Sequence, residues 1–567
     1  MGNEAIALGA VDAGVRLVSG YPGTPSTEVL ETVAAHNDGS IYVEWSVNEK
    51  VAMEVAAGAA YSGARVMVTM KQVGLNVASD PLMSLSYVGV KGGMVVLVAD
   101  DPGPNSSQTE QDTRHFAEFS NLPVLDPVSP EEAYNMMPYA FDLSEKAGLP
   151  VFVRPTTRIC HARSTIDVRE KETRPGAEGF VKDSRWVIFP GLSYRKHKEL
   201  ETLQGKISRY FDACPFNSVE GDGELGVAAS GIAFAYAADV IRDRQLPVRL
   251  FKVGTAYPFP ERKAAGFLKG LKKVLVLEEL DPVVEEALLT VSAKTDRVPI
   301  YGKMTGDIPR CGELSYATAE KALLAFCGMR PVAEPIKATE KLPVRPPVLC
   351  AGCPHRASFY AVKQAMKGRK AVFTGDIGCY TLGNAAPLDM VDTCLCMGAS
   401  ITVAQGIRRI SPDVPVFAFI GDSTFFHTGI PGVINALYNA ADLVVVVLDN
   451  STTAMTGHQP HPGTGETMMG GHSPRVRIDR TLEGIGVPFV RRVNPFDQKK
   501  AIETIREAVG RKGVSAVIFE APCIALFKRT CIYSVDAEAC RACGRCVREI
   551  GCPALTAGKD GKAVIDE

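Results

Sequence analysis

Short β-branched runs alternate with helical stretches along most of the chain, the pattern of helices layered on parallel sheets. In the first part IYVEW (41–45), ARVMVTM (64–70), MVVLVAD (94–100) and PVFVRP (150–155) are continuous apolar runs of strand length. Between the first two, VNEKVAMEVAAGAAYSG predicts an Ala-rich helix whose small residues allow close packing. ELGVAAS (224–230), VRLFKVG (248–254) and KVLVLEEL (273–280) predict the strands of a second α/β segment that closes near Cys327. Residues 331–349, PVAEPIKATEKLPVRPPVL, mix five prolines with charges at no period and read as an extended linker. Beyond it AVFTGDIG (371–378), VFAFIGD (416–422), LVVVVLDN (443–450) and SAVIFEAP (515–522) predict a third sheet, with ITVAQGIRR and PGVINALYNA as crossover helices. The last forty or so residues turn Cys-rich and lose their core hydrophobics. The expected organisation is domains at 1–190, 191–330 and 350–530, the linker at 331–349, and a small module at 531–567.

Composition narrows the function. At 567 residues the chain has room for about four domains of roughly 150 residues. Lys+Arg at 62 against Asp+Glu at 64 leaves no basic surplus, so nucleic acid and anionic membrane drop out as default partners. The longest aliphatic run, LVVVVL, is too short to span a bilayer, and MGNEAIALGAVDAG has no basic n-region, so a cytoplasmic protein is expected. Four of the 15 cysteines lie in residues 1–349 and eleven in 350–567. Disulfides are not stored in that compartment; enrichment in one half, with CxxC spacings at Cys350/Cys353 and Cys540/Cys543, points to thiolate ligands for soft metals or Fe–S clusters. Cys160, Cys214, Cys311 and Cys327 read as buried thiols, and Cys394 and Cys396 as packing residues in a buried turn.

Two strands of the third segment end in hard oxygen ligands, Asp422 after VFAFIG and Asn450 after LVVVVLD. In a parallel sheet the carboxyl ends of neighbouring strands form the binding crevice. A carboxylate, an amide oxygen and a nearby carbonyl suit Mg²⁺ bound to a diphosphate, although an Asp after a strand occurs in any doubly wound sheet. CRACGRCVREIGCP supplies Cys540, Cys543, Cys546 and Cys552, a bacterial-ferredoxin-like run with VREIG before its last cysteine, and a zinc knuckle is the alternative. No second motif of this kind follows before KAVIDE, which leaves the ligand arrangement of Cys552 open.

GDSTFFHTG and VVLDNSTTAMTGHQPHPGTG resemble the thiamine-diphosphate motif that opens with Gly-Asp and closes on Asn. With SGYPGTPSTE (19–28), EWSVNEKVAMEVAAGAAYSGAR (44–65), CAGCPHRASFY (350–360), GDIGCYTLG (375–383) and the terminal Cys motif, nearly the whole chain resembles the 2-oxoacid:ferredoxin oxidoreductases, most narrowly the large, alpha-type subunits of the branch acting on indolepyruvate.

The resemblance implies several doubly wound α/β domains of the thiamine-enzyme type plus a ferredoxin-like module. It implies Gly421, Asp422, Ser423, Asn450 and Thr452 at the cofactor, with Asp422, Asn450 and the Thr452 carbonyl on Mg²⁺. Glu49 matches the glutamate that contacts the aminopyrimidine, where a carboxylate favours the tautomer that removes the thiazolium proton; Glu54 reads as a helix-surface charge. Because Glu49 and Asp422 fall in different domains, the cofactor is expected between them, across a subunit interface. Thr24 matches a threonine that meets the substrate. Relatives often carry an arginine just before a Gly-Pro-Ser segment, whereas here the string is ADDPGPNSSQTEQDTR; Arg114 is a candidate substitute, with a solvated surface arginine as the alternative. His458 and His461 invite a metal or acid/base role, with a cofactor-covering loop as the alternative.

Oxidation of a decarboxylated 2-oxoacid releases two electrons, while an Fe–S cluster accepts one at a time, so a cluster is expected close to the thiazolium. Cys350, Cys353, Cys379 and Cys523 match ligands of a proximal 4Fe-4S cluster, with structural thiols as the alternative, and the tail cysteines match a second 4Fe-4S cluster. The implied reaction is oxidative decarboxylation of an arylpyruvate, indole-3-pyruvate foremost, to the aryl-acetyl-CoA and CO2, with coenzyme A as co-substrate. Implied partners are ferredoxin and a separate small beta subunit in an α2β2 assembly. A non-oxidative thiamine decarboxylase, or an electron-transfer subunit with a vestigial thiamine site, are the rival readings.

Overall fold

The computed structural model describes residues 1–170, 177–329, 343–528 and 533–566. Residues 331–342 of the expected linker, and Cys531 with the start of the terminal module, lie outside the described residues. The chain divides into two compact units, Met1–Thr339 and Glu340–Glu567.

The first unit holds two sheets. Strands β1 (Leu17–Gly20), β2 (Tyr42–Trp45), β3 (Val66–Lys71), β4 (Met94–Ala99), β5 (Val124–Leu125) and β6 (Val151–Val153) form a parallel sheet in the order β2-β1-β3-β4-β6-β5. Both faces of its centre are covered. Val66, Val68, Met70, Val96 and Val98 pack on one side into a cluster with Ala52, Met53, Ala56 and Ala60 of the helix Glu49–Tyr61, while the intervening Met67, Val95 and Leu97 are equally buried. The alanines let that helix lie close to the sheet. The second sheet comprises β7 (Ser218–Glu220), β8 (Leu225–Ala229), β9 (Val248–Lys252), β10 (Lys273–Leu277) and β11 (Ile300–Tyr301), ordered β11-β10-β8-β9-β7 and parallel except at the β7 edge.

In the second unit β12 (Val372–Thr374), β13 (Val416–Gly421), β14 (Leu443–Asp449), β15 (Phe489–Val493) and β16 (Val514–Glu520) make a parallel sheet ordered β12-β13-β14-β16-β15. Alternate residues of β13 and β14 feed two separate apolar clusters, one on each face, which is why those strands are apolar throughout. All its strands run the same way, so the segments after β12, β13, β14 and β16 emerge at one edge. The cysteine-rich end forms a π-turn at Cys546–Ile550 and an antiparallel hairpin of β17 (Leu555–Ala557) and β18 (Ala563–Ile565). Among the described residues no helix is long and apolar enough to cross a membrane.

Candidate active site

Asp422 follows β13 and Asn450 follows β14, neighbours registered Gly421 opposite Leu448. Their loops are stitched together through the Asp422 carboxylate. Oδ2 accepts the N–H groups of Asn450 (3.1 Å) and Ser451 (2.8 Å) and lies 3.1 Å from His461 Nε2, while Oδ1 accepts from Ser423 N at 2.8 Å. Burial pushes this carboxyl up, but His461 and the N–H groups outweigh it and hold it below the usual range. His461 is raised in return, the attraction of Asp422 overcoming its own burial. Asp449, at the end of β14, is pushed up to about 7, first by burial and then by the charge of Asp422. Asn450 Oδ1 accepts from Thr452 N at 3.3 Å, and Thr453 donates to the Ser423 hydroxyl at 3.0 Å. The facing carboxyl groups of Asp422 and Asp449 beside the Asn450 amide form a hard-oxygen donor set that a divalent cation would neutralise, so these residues fit Mg²⁺ and its diphosphate.

Three groups that the motifs did not single out complete this edge. His355, buried and pushed down to about 4 by desolvation, accepts from Asn450 Nδ2 at 3.3 Å. Tyr380 meets His355 edge-on, its ring centroid 5.7 Å away, and donates its hydroxyl to Ile377 O at 2.9 Å. Asp376, raised to about 6 by burial, accepts N–H groups from Gly398 and Ser400 at the start of the helix Ala399–Ile410. Their only sequence signal was adjacency to Cys353 and Cys379.

Cys350, Cys353, Cys379 and Cys523 lie at the same edge. Cys523 N donates to Asn450 O at 2.9 Å, so this cysteine is one hydrogen bond from the expected Mg²⁺ loop. Burial pushes the Cys353 thiol up to about 11, although its sulfur accepts the N–H groups of His355 and Arg356 at the start of the helix Pro354–Ala365. Cys379 is likewise raised to about 11, by burial and then by the charges of Cys523 and Cys350. Thiols whose ionised forms repel one another, with backbone N–H donors in reach, fit a centre in which each thiolate binds a different positively charged iron.

In the tail, Cys540 Sγ accepts from Ala563 N at 3.5 Å, and the N–H groups of Ala563 and Ala542 lower its pKa. Cys540, Cys546 and Cys552 are half-buried and Cys543 is exposed. The module is docked on the helix that begins after Cys353. Arg356 donates from Nη1 to Ile550 O at 2.9 Å and from Nη2 to Leu349 O at 2.6 Å, and Tyr360 donates to Glu549 Oε2 at 3.0 Å. Among the described residues no group of three or more His, Cys, Asp or Glu is arranged to hold a single metal ion.

In the first unit Glu49 is the first residue of its helix, capped by Asn48 Oδ1 accepting from Val51 N at 2.9 Å, and is buried. Its carboxyl lies against Gly74, where a Cβ would stand 2.5 Å from Oε1; glycine there makes room for the acid. Glu54 is exposed and paired with Lys50, as expected of a surface charge. Thr24 follows β1, and its carbonyl accepts from the Ser106 hydroxyl at 3.1 Å.

Arg114 fits neither expectation. It is fully buried and gives Nε to Asp112 Oδ1 (2.9 Å), Nη1 to Glu278 Oε2 (2.8 Å) and Nη2 to the carbonyls of Glu279 and Asp281 (both 2.9 Å). With its fork taken up, it ties the first sheet's helix Arg114–Phe119 to the end of β10 and has nothing left for a substrate. Cys394 and Cys396 also differ from expectation: the turn is on the surface, with Leu395 69% exposed. Cys311 is exposed rather than buried. His461 pairs with Asp422, whereas His458 is held at a positive φ of 68°.

Two family models match the chain: "Pyruvate flavodoxin/ferredoxin oxidoreductase, thiamine diP-bdg" over residues 8–186, and "Thiamine pyrophosphate enzyme, C-terminal TPP binding domain" over residues 376–519. The chain is 43% identical to the indolepyruvate oxidoreductase subunit IorA of Archaeoglobus fulgidus, covering 98% of this chain and 92% of that protein. It is 43% identical to the protein of the same name from Methanothermobacter thermautotrophicus, covering 100% and 93% respectively. Among solved structures, the 2-oxoglutarate:ferredoxin oxidoreductase from Magnetococcus marinus with 2-oxoglutarate, coenzyme A and succinyl-CoA bound aligns with a TM-score of 0.45 and 19% identity, over 57% of this chain and 64% of that one.

Proposed function

We propose that this chain, which belongs to the indolepyruvate oxidoreductase IorA family of thiamine-diphosphate-dependent 2-oxoacid:ferredoxin oxidoreductases, oxidatively decarboxylates arylpyruvates, indole-3-pyruvate foremost, to aryl-acetyl-CoA and CO2 and passes the electrons to ferredoxin. The name shared by its relatives supports the substrate, and the word subunit in that name supports a separate partner; a small beta-type chain in an α2β2 assembly is the form proposed for it.

Bound thiamine diphosphate supplies a nucleophilic carbon and an electron sink that lets a 2-oxoacid lose CO2. Asp422, Asn450 and the Thr452 carbonyl hold the Mg²⁺ that neutralises its diphosphate, with Gly421 and Ser423 lining the same loop. His461 and the N–H groups of Asn450 and Ser451 fix the Asp422 carboxylate, so it is preorganised as a ligand. Glu49 holds and returns the proton of the aminopyrimidine, and Gly74 leaves the space in which it does so. Thr24 serves as the substrate contact, in keeping with its position just beyond β1.

The observation that carries the oxidative reading is the hydrogen bond from Cys523 N to Asn450 O. It joins Cys523 to the Asn450 loop, which supports reading Cys350, Cys353, Cys379 and Cys523 as the ligands of a first one-electron acceptor. The set Cys540, Cys543, Cys546 and Cys552, docked through Arg356, then relays electrons outward. The test is anaerobic purification with the partner subunit, followed by thiamine and iron analysis and electron paramagnetic resonance before and after indole-3-pyruvate. Bound thiamine and a substrate-induced cluster signal that is lost in Cys353→Ser are expected; a chain with thiamine but no iron overturns the reading.

A further inference from the structure

Lys71 is the last residue of β3, and Thr24 lies just beyond β1, the strand paired with it. Between these two strands the sheet order reverses, since β2 lies to one side of β1 and β3 to the other. Open parallel sheets take their ligands in such a crevice, outside the carboxyl ends of the strands. The lysine stem lies along the backbone of the YPGTP segment: a Cβ on Gly23 would stand 2.9 Å from Lys71 Cδ and 3.0 Å from Cγ. Glycine at 23 is therefore what lets Lys71 run beside Thr24. Its Nζ donates to Ser106 O at 3.1 Å, and the Ser106 hydroxyl donates to Thr24 O at 3.1 Å, so lysine, serine and threonine share one rim.

The ammonium is poorly matched by the protein. The Ser106 carbonyl is its one hydrogen-bond acceptor among the described residues, so two of its three donors are open to water or a ligand. Burial lowers its pKa, and the charges of Asp101 and Glu49 act against that shift. Asp101 is already engaged, accepting from Ser106 N at 2.9 Å and the Thr157 hydroxyl at 2.7 Å. Arg114, the other cation considered for an anionic substrate, is enclosed by Asp112 and Glu278.

We propose that Lys71 binds the carboxylate of the 2-oxoacid, its free N–H groups pairing with the anion beside Thr24 and Glu49. This rests on the proposed function and names the residue that selects acids over neutral carbonyl compounds. The pairing is with the ground state: the negative charge leaves the carboxylate as CO2 departs, so Lys71 acts in binding more than in the bond-breaking step.

The test uses the enzyme with its partner subunit under anaerobic conditions. Lys71→Gln should raise the KM for indole-3-pyruvate by about 10- to 100-fold, with a smaller fall in kcat, and should bind thiamine diphosphate normally. Wild type should be inhibited by indole-3-propionate far more strongly than by its amide; Lys71→Gln should lose that preference and Lys71→Arg should keep part of it. A preference retained in Lys71→Gln, with KM within twofold of wild type, overturns the proposal. A measurement on unsubstituted protein guards against a variant that misfolds. Indole-3-propionate, but not its amide, should protect Lys71 from an amine-reactive reagent followed by mass spectrometry, and equal protection or none overturns the proposal. If wild type turns over no 2-oxoacid, the proposed function falls, while the footprint still reports whether Lys71 meets a carboxylate.

Discussion

Replacing Arg356 by alanine tests whether the tail cysteines are held in place or merely tethered. The side chain is 6% exposed and forks between Leu349 O at 2.6 Å and Ile550 O at 2.9 Å, so it joins the residue before Cys350 to the turn that precedes Cys552. A hydrogen bond from a charged donor contributes about 1.5–3 kcal/mol, and tenfold in an equilibrium corresponds to about 1.4 kcal/mol. Loss of the bond to Ile550 alone should thus shift docking of residues 533–566 by roughly 10- to 100-fold, since Tyr360 to Glu549 remains as the weaker tie. Hydrogen–deuterium exchange in peptides covering 543–557 should rise in Arg356→Ala, and ferredoxin reduction should slow while first-turnover CO2 release stays near wild type. Exchange in the tail identical to wild type would refute the argument, because the fork would then carry no docking energy.

Asp422→Ala should abolish thiamine diphosphate retention on gel filtration, whereas Glu49→Gln should keep the cofactor and lose turnover by roughly 10²–10⁴-fold. Deleting residues 531–567 should leave CO2 release for a first turnover and sharply slow ferredoxin reduction; Cys353→Ser should block oxidation at the first step, and rapid mixing separates the two. Arg114→Met should cost about 3–5 kcal/mol of stability by removing the cation shared by buried Asp112 and Glu278, lowering the thermal midpoint without raising the substrate KM. Glu279 is raised to about 7 by burial, so the folded state holds its proton more tightly than the unfolded chain does. Its stabilising contribution, roughly 3 kcal/mol, is full below about pH 4.5 and is lost as the pH rises through 7. Glu279→Gln should flatten the denaturation-versus-pH curve across that window.

The buried strands were legible because a strand covered on both faces must be apolar throughout: MVVLVAD, VFAFIGD and LVVVVLDN all lie at β4, β13 and β14. The strands the pattern passed over are mostly sheet edges, where burial no longer dictates sequence. At β15, FVRRV carries two exposed arginines, and β5, β7 and β11 have only two or three residues each. β1, LVSG, is central but too short, and too rich in small residues, to stand out. Motif spacing located Asp422 and Asn450 because both follow long apolar strands. It could not show His461 on Asp422 or His355 on Asn450, contacts across 39 and 95 residues of chain. Arg114 misled for the same reason: besides nearby Asp112, its guanidinium is taken up by the Glu278 carboxylate and the backbone carbonyls of Glu279 and Asp281, which follow a strand of another sheet. Cys394 and Cys396 were expected as packing residues in a buried turn, but both are exposed.

The most direct test of the central claim is the product formed from indole-3-pyruvate by the anaerobic enzyme with its partner subunit, coenzyme A and ferredoxin. Coenzyme-A-dependent formation of indole-3-acetyl-CoA, with two ferredoxin equivalents reduced per CO2, is predicted. Release of the aldehyde with no ferredoxin reduced would contradict the oxidative reading and make the cysteine sets bystanders to a simple decarboxylation.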